Sequence, residues 1–210
     1  MERKNFKKLI IFILLMFYSI GVLIHFNSYF TDSLKILTPL FLLFTSLLVL
    51  FEDKPSPKFL IWFLLSYTLT TIIEIIGVKT GQIFGQYQYN ENLGIKIFEV
   101  PLIIGLNWMI LVIAAIGFVE VIKASNIFKS FLSGLIMVSF DLLLEIAAPR
   151  LNYWNFINGH PPFQNYFAWF LISFFLSYLF FVIKINRTFL IARFNLIFQF
   201  IFFLLIILGR

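Results

Sequence analysis

Three acidic side chains fall inside runs of apolar residues: Glu74, Asp141 and Glu145. An ionisable group within a membrane-spanning helix costs at least about 2.5–3.5 kcal/mol, so each asks for a partner or a task. Asp141 and Glu145 are four residues apart, which on a helix puts them on one face and within reach of each other. Two like charges in a low dielectric favour retention of one proton. A carboxylic acid that keeps its proton at neutral pH is what general-acid catalysis requires. For any one of the three, the plainer alternatives are a hydrogen bond to a neighbouring helix or an ion pair with Arg150 or Lys79. Three in one short chain favour a site, and Glu74, Asp141 and Glu145 are the candidate catalytic residues.

Aromatic residues crowd the stretches around them. Phe84, Tyr87 and Tyr89 occupy one polar segment, and Tyr153, Trp154, Phe156, Phe163 and Tyr166 surround the other. Trp108 and Trp169 lie just inside the apolar runs that follow. Aromatic faces stabilise cations by about 0.5–2 kcal/mol each, although an interfacial belt also favours Trp and Tyr. Asn107 and Asn165 have the chemistry to orient a carboxyl or a water, or to join helices. The candidate substrate contacts are Tyr87, Tyr89, Trp108, Trp154, Asn165 and Trp169.

Several chemistries find no residues here. The chain has no cysteine, so thiolate catalysis, disulfides and Cys-ligated metals are excluded. His25 and His160 are isolated, and no metal site is expected. Gly77, Gly81, Gly85 and Gly94 match neither GxGxxG nor GxxxxGK, so they read as turns or close approaches and no nucleotide site is expected. The net charge of +6 comes from basic residues concentrated in short connections, where they orient a membrane protein rather than bind nucleic acid.

The elements that must position these residues follow from hydropathy. The chain is 61% hydrophobic and 12% charged, with a mean hydropathy of +0.97, against about 45–50% apolar and about 25% charged in soluble domains. Lipid is then the solvent for most side chains, and backbone polar groups must be satisfied within helices. Apolar runs at 9–26, 34–51, 59–78, 100–119, 127–147, 165–183 and 189–208 each match the 17–25 residues that cross a bilayer. The expected fold is all-α, a polytopic integral membrane protein of about seven transmembrane helices forming one domain over 1–210. The Met-Glu-Arg-Lys start followed by an apolar run lacks a small-residue cleavage site and reads as an uncleaved first span.

Alternating the connections puts Arg3, Lys4, Lys7, Lys8, Lys54, Lys58, Lys123, Lys129, Lys184, Arg187 and Arg193 on one side of the membrane. Lys35, Lys79, Lys96, Arg150 and Arg210 fall on the other. Eleven against five makes the N-terminus cytoplasmic and the C-terminus external. The long connections 79–99 and 148–164 then face outward. A weak repeat runs through the middle: Glu74, a loop, Pro101 and, seven residues on, Trp108, then Glu145, a loop, Pro162 and, seven residues on, Trp169. Both units run from inside to outside and back, as parallel repeats do in some transporters.

The blocks EIIGVKTGQIFGQYQYNENLGIKIFEVPLIIGLNW, residues 74–108, and DLLLEIAAPRLNYWNFINGHPPFQNYFAWF, residues 141–170, resemble the membrane carotenoid-biosynthesis family of carotenoid hydratases. That family includes the bisanhydrobacterioruberin hydratase and γ-carotene 1′-hydroxylase types. The match falls on Glu74, Gly77, Gly81, Phe84, Gly85, Tyr87, Tyr89, Gly94, Pro101 and Trp108. In the second block it falls on Asp141, Glu145, Pro149, Trp154, Gly159, Pro162, Asn165 and Trp169. The chain departs from it where an acidic residue commonly precedes proline, having Glu145-Ile-Ala-Ala-Pro149, and where Gly-Val-Pro is common, having Glu99-Val100-Pro101. The resemblance implies cofactor-independent addition of water across the terminal C1–C2 double bond of an acyclic carotenoid end. Its partners are then membrane lipid and a carotenoid or other polyisoprenoid, in a bacterial or archaeal cytoplasmic membrane.

The residue chemistry suits that reaction. Protonating an isoprenoid terminal alkene creates a tertiary cation, so the site needs an acid, an aromatic lining and one placed water. Glu145 or Glu74 is the expected donor, Asp141 tunes it, and Tyr87, Trp154 and Trp169 face the cation. Two other classes use similar residues. A prenyl-transfer enzyme would hold Mg²⁺ with Asp141 and Glu145 against phosphates, but generally needs a second acidic cluster. A small transporter would relay protons through the same carboxyls, without needing long aromatic loops. A retinal-binding receptor needs a Schiff-base lysine, and none lies between Thr188 and Leu208.

Overall fold

The computed structural model describes residues 2–209, and side chains at 5–27 and 29–209. Arg210 and the side chains of Arg3 and Lys4, part of the charge pattern above, lie outside the described residues. Seven helices account for most of the chain: α1 (Glu2–His25), α2 (Leu34–Leu50), α3 (Pro57–Thr80), α4 (Leu102–Val119), α5 (Asn126–Ala147), α6 (Phe163–Ile183) and α7 (Leu190–Leu208). Each is long and apolar enough to cross a membrane. Their bounds lie within two or three residues of the apolar runs, except that α1 begins at Glu2. Lys, Arg and Glu are good helix formers, so that helix continues past the point where hydrophobicity stops.

Local chemistry sets the helix ends. Ser56 caps α3, its hydroxyl accepting from Phe59 N at 3.2 Å with Pro57 in the first turn, and Ser125 does the same for α5 through Phe128 N at 3.3 Å. α4 and α6 each start directly after an extended proline, Pro101 and Pro162. α7 has no cap of its own. Glu52, from the α2–α3 connection, accepts instead from Leu190 N at 2.9 Å and Ile191 N at 3.0 Å, satisfying two of the orphan amides every helix start exposes.

α4 is hydrophobic all round and sits at the centre of the bundle, packed against α2, α3, α5, α6 and α7, as a helix without a polar face must. α5 and α6 make the most extensive pairing. Gly134 permits it, since a Cβ there would stand 2.8 Å from the Phe170 ring. The periphery is apolar too: Ile61, Leu64 and Leu65 of α3 and Phe175 of α6 are all exposed. Such a surface is suited to lipid.

Sequence periodicity did not anticipate the short strands. β1 (Tyr87–Tyr89) and β4 (Trp154–Phe156), from the two long connections, pair antiparallel with Tyr87 opposite Phe156 and Tyr89 opposite Trp154. β2 (Lys96–Ile97) and β3 (Val100–Pro101) form a tight hairpin in which Phe98 and Glu99 both take positive φ. The helical pattern is strong over about 20 residues, whereas three-residue strands carry too few positions to show alternation.

Candidate active site

Depth follows from spacing. Glu74 lies about two turns before the Gly81 end of α3, and Asp141 and Glu145 occupy the last two turns of α5. Trp108 and Trp169 lie seven residues beyond Pro101 and Pro162, about 10 Å into α4 and α6 at 1.5 Å per residue. All of these helix ends are at one side of the bundle, so the carboxyls and both indoles meet at one level. The Trp108 and Trp169 rings are 4.0 Å apart between centroids, at 30°. Corresponding positions of the sequence repeat therefore touch at its centre.

The β1–β4 ribbon covers them. Side chains two apart on a strand share a face, so Tyr87, Tyr89, Trp154 and Phe156 present four rings together. Tyr87 and Phe156 are 5.4 Å apart, and Tyr89 and Trp154 5.8 Å. Gly85 enters the ribbon with φ +97°, and a Cβ there would come within 2.6 Å of Pro162, so only glycine lets the first loop lie this close to the second.

Each carboxyl is met by its own donors. Glu74 Oε2 accepts from the Tyr87 hydroxyl at 2.5 Å and the Tyr89 hydroxyl at 2.8 Å, and its Oε1 accepts from Trp108 Nε1 at 2.7 Å. Glu145 Oε2 accepts from Trp154 Nε1 at 3.0 Å. Asn165 Nδ2 bridges the other pair, donating to Asp141 Oδ2 at 2.7 Å and Glu145 Oε1 at 3.2 Å. Burial, and then the neighbouring Glu74 charge, hold the Tyr87 and Tyr89 phenols well above their ordinary pKa, so both remain donors throughout the physiological range. Arg150 instead donates to Ile207 O at 2.8 Å, and Lys79 lies over the Phe98 ring at 4.5 Å. Neither cation serves a buried carboxyl. Hydrogen bonds to a charged group contribute about 1.5–3 kcal/mol each, so three of them offset part of the cost of burying Glu74 without a counter-ion.

Two cavities adjoin here. The smaller, about 30 Å³, is lined by Glu74, Glu145, Tyr87, Tyr89, Trp108, Trp154, Asn165 and Trp169 together with Phe84 and Phe156. That is room for a water or the tip of a molecule, since one water needs about 10–15 Å³. Of the nine candidate catalytic and substrate-contact residues, only Asp141 stands behind this wall, reaching it through Asn165. The larger cavity, about 360 Å³, lies among α1, α2, α4 and α7, its walls almost wholly apolar, with Phe17, Phe41, Phe202 and Phe203 prominent. Ile104, Asn107, Leu144 and Trp154 line both.

The family model described as carotenoid biosynthesis protein matches residues 35–209. The chain belongs to that family. No curated protein and no solved structure matches the chain. Membership gives this polytopic membrane protein a role in carotenoid biosynthesis. All nine candidate residues lie within the matched stretch, while α1, one wall of the large cavity, precedes it.

Some of what this family member places at the site left little trace in its sequence. Ile104 and Leu144 are generic core residues by type. Phe156 stood out only as one of the aromatics crowding the second loop, not by its place in a strand. Gln199, on the large cavity, had a signal as well: two amides four apart, Asn195 and Gln199, in a helix that is apolar beyond them.

Proposed function

We propose that this protein adds water across the terminal C1–C2 double bond of an acyclic carotenoid end, giving a tertiary alcohol without a cofactor. The observation that carries this reading is the shared wall of Ile104, Asn107, Leu144 and Trp154 between a hydrocarbon-lined cavity and a carboxyl chamber. At about 360 Å³ the cavity falls within the usual range for small-molecule sites. The chamber is too small for a chain. An isoprenoid tail therefore stays in the cavity and presents only its end to the acid.

Glu145 is the proton donor in this reading. Glu74 already accepts on both oxygens from three donors, the environment of a fixed anion that stabilises a nearby cation. Asp141 Oδ1, by contrast, has no hydrogen-bond donor among the described residues, and a proton held between Asp141 and Glu145 supplies one. Asp141 and Asn165 thus position the acid. The Trp154 ring lies on the shared wall and holds Glu145 through its N–H, so one residue both faces the cation and orients the donor. The end bearing the two long loops is assigned to the outside from the charge pattern, with the N-terminus in the cytoplasm.

Expression in a bacterial host that accumulates lycopene, followed by chromatography and mass spectrometry of the extracted pigments, tests the reading. Wild type should yield a product heavier by one water, and Glu145→Gln should lower its yield about 10²–10⁴-fold. Unchanged pigments with protein inserted in the membrane, across several acyclic carotenoids, would overturn the proposal.

A further inference from the structure

Two amides, Asn107 and Gln199, stand in the mostly hydrocarbon wall of the large cavity. Asn195 and Gln199 fall on the inward face of α7 and are both buried. Asn195 is accounted for, since its Oδ1 accepts from the Tyr18 hydroxyl at 3.0 Å. Gln199 is satisfied on one side only. Its Nε2 donates to Asn107 Oδ1 at 3.3 Å, but its Oε1, on a residue 3% exposed, has no partner among the described residues. Leaving a buried carbonyl unmet costs about 1–3 kcal/mol, and such groups in proteins are commonly met by ordered water. Gln199 lines the large cavity, and Asn107 lines that cavity and the carboxyl chamber alike.

We propose that Asn107 and Gln199 hold the nucleophilic water at the junction of the two cavities, Gln199 Oε1 accepting one of its protons while Asn107 fixes the Gln199 amide. The inference rests on the hydration reading. The alkene π pair takes the Glu145 proton at C2, leaving the positive charge on C1. The water lone pair then bonds to C1, and the surplus proton on that oxygen returns to the Glu145 carboxylate. One alkene and one water become one tertiary alcohol, and nothing is oxidised or reduced. An amide carbonyl suits this place because it holds the water through a proton, leaves a lone pair free, and does not compete with Glu145 as a base.

The two steps separate in D₂O. If the water is misplaced, the cation still forms but gives a proton back to the carboxylate, from C2 to regenerate the substrate or from a methyl group to give its terminal-methylene isomer, so unhydrated alkene carries deuterium at C2. The experiment uses the full-length protein in liposomes with lycopene, comparing wild type with Gln199→Met, which keeps the volume and removes the acceptor. Hydration should fall about 100-fold, while the ratio of deuterium in unhydrated alkene, lycopene and its isomer together, to hydrated product rises about tenfold or more. Asn107→Ala should move the ratio the same way, and it decides the matter if Gln199→Met does not insert. Parallel loss of exchange and hydration would overturn the inference in favour of a structural amide pair. Unchanged hydration in both variants would overturn it in favour of a water from the carboxyl chamber. Wild type showing neither exchange nor hydration would instead sink the hydration reading itself.

Discussion

Tyr89 and Trp154 face each other across the ribbon that joins the two long loops, and each serves a different carboxyl, Tyr89 to Glu74 at 2.8 Å and Trp154 to Glu145 at 3.0 Å. One cross-strand pair thus fixes acids from α3 and α5 relative to each other. Tyr89→Phe keeps the ring and removes one of three donors to Glu74. Its hydration rate should drop about 10-fold, given about 1.5–3 kcal/mol for a hydrogen bond to a charged group. Trp154→Phe, which loses the donor that orients the acid, should drop about 100-fold. The check is turnover of lycopene by each variant and by the double variant, and wild-type rates in all three would remove the ribbon from the mechanism.

The carboxyls should separate by role. A general acid contributes about 10²–10⁴-fold, so Glu145→Gln should lose activity to that extent. Asp141→Asn keeps a polar group beside Asn165 and should retain more. Glu74→Gln replaces an acceptor facing three donors with an amide whose NH₂ must oppose one of them, and should impair folding as well as rate. Turnover measured beside thermal unfolding distinguishes these outcomes. Loss of rate in Glu145→Gln only in proportion to loss of stability would argue against its role as acid.

The seven helices were legible because each rests on about 20 apolar residues, a signal that tertiary context rarely reverses. The three buried acids were legible for the complementary reason, that charge in such a run is costly. The repeat of proline and tryptophan marked the level at which Trp108 and Trp169 meet. Not legible was the division of labour among the aromatics. Read as rings, Tyr87, Tyr89 and Trp108 suggest faces for a cation. In the structure their polar tips bind Glu74, and that depends on a pairing between loops 60 residues and more apart in the chain. The large cavity was equally hidden, because it lies in the wedge left where α1 packs chiefly on α7 and α2 chiefly on α4.

That wedge gives a test of substrate geometry. Gly21 lines it from α1, and a Cβ there would meet the Phe202 ring at 3.4 Å, an ordinary contact. Gly21→Ala is therefore expected to be neutral, whereas Gly21→Phe puts a ring into the cavity. For lycopene, KM should rise about tenfold or more, since even small volume mismatches in a packed pocket are felt. A short acyclic terpene with the same isopropylidene end should react with the variant nearly as well as with wild type. Equal impairment of long and short substrates would mean that the tail does not lie along α1.

At the end of the bundle opposite the site, Glu52 and Asp53 hold the α6–α7 connection. Glu52 is buried, takes Lys7 Nζ at 2.9 Å and caps α7; Asp53 accepts from Thr188 N at 2.6 Å and from its hydroxyl at 2.5 Å. Glu52→Gln turns an acceptor into a partial donor against two backbone N–H groups, which should cost about 1–3 kcal/mol and lower Tm by several degrees. Burial pushes the Asp53 carboxyl up, but the Thr188 hydroxyl and N–H outweigh it, with Lys7 and Arg187 assisting, and the net pKa is below the ordinary value. A carboxyl depressed in the folded state stabilises it above the unfolded pKa, about 3.9 for Asp, and loses that contribution as pH falls through the lower folded value. Unfolding followed from pH 7 to pH 3 should therefore show a decline below about pH 4 that is shallower in Asp53→Asn. The same slope in variant and wild type would assign the acid sensitivity to other groups.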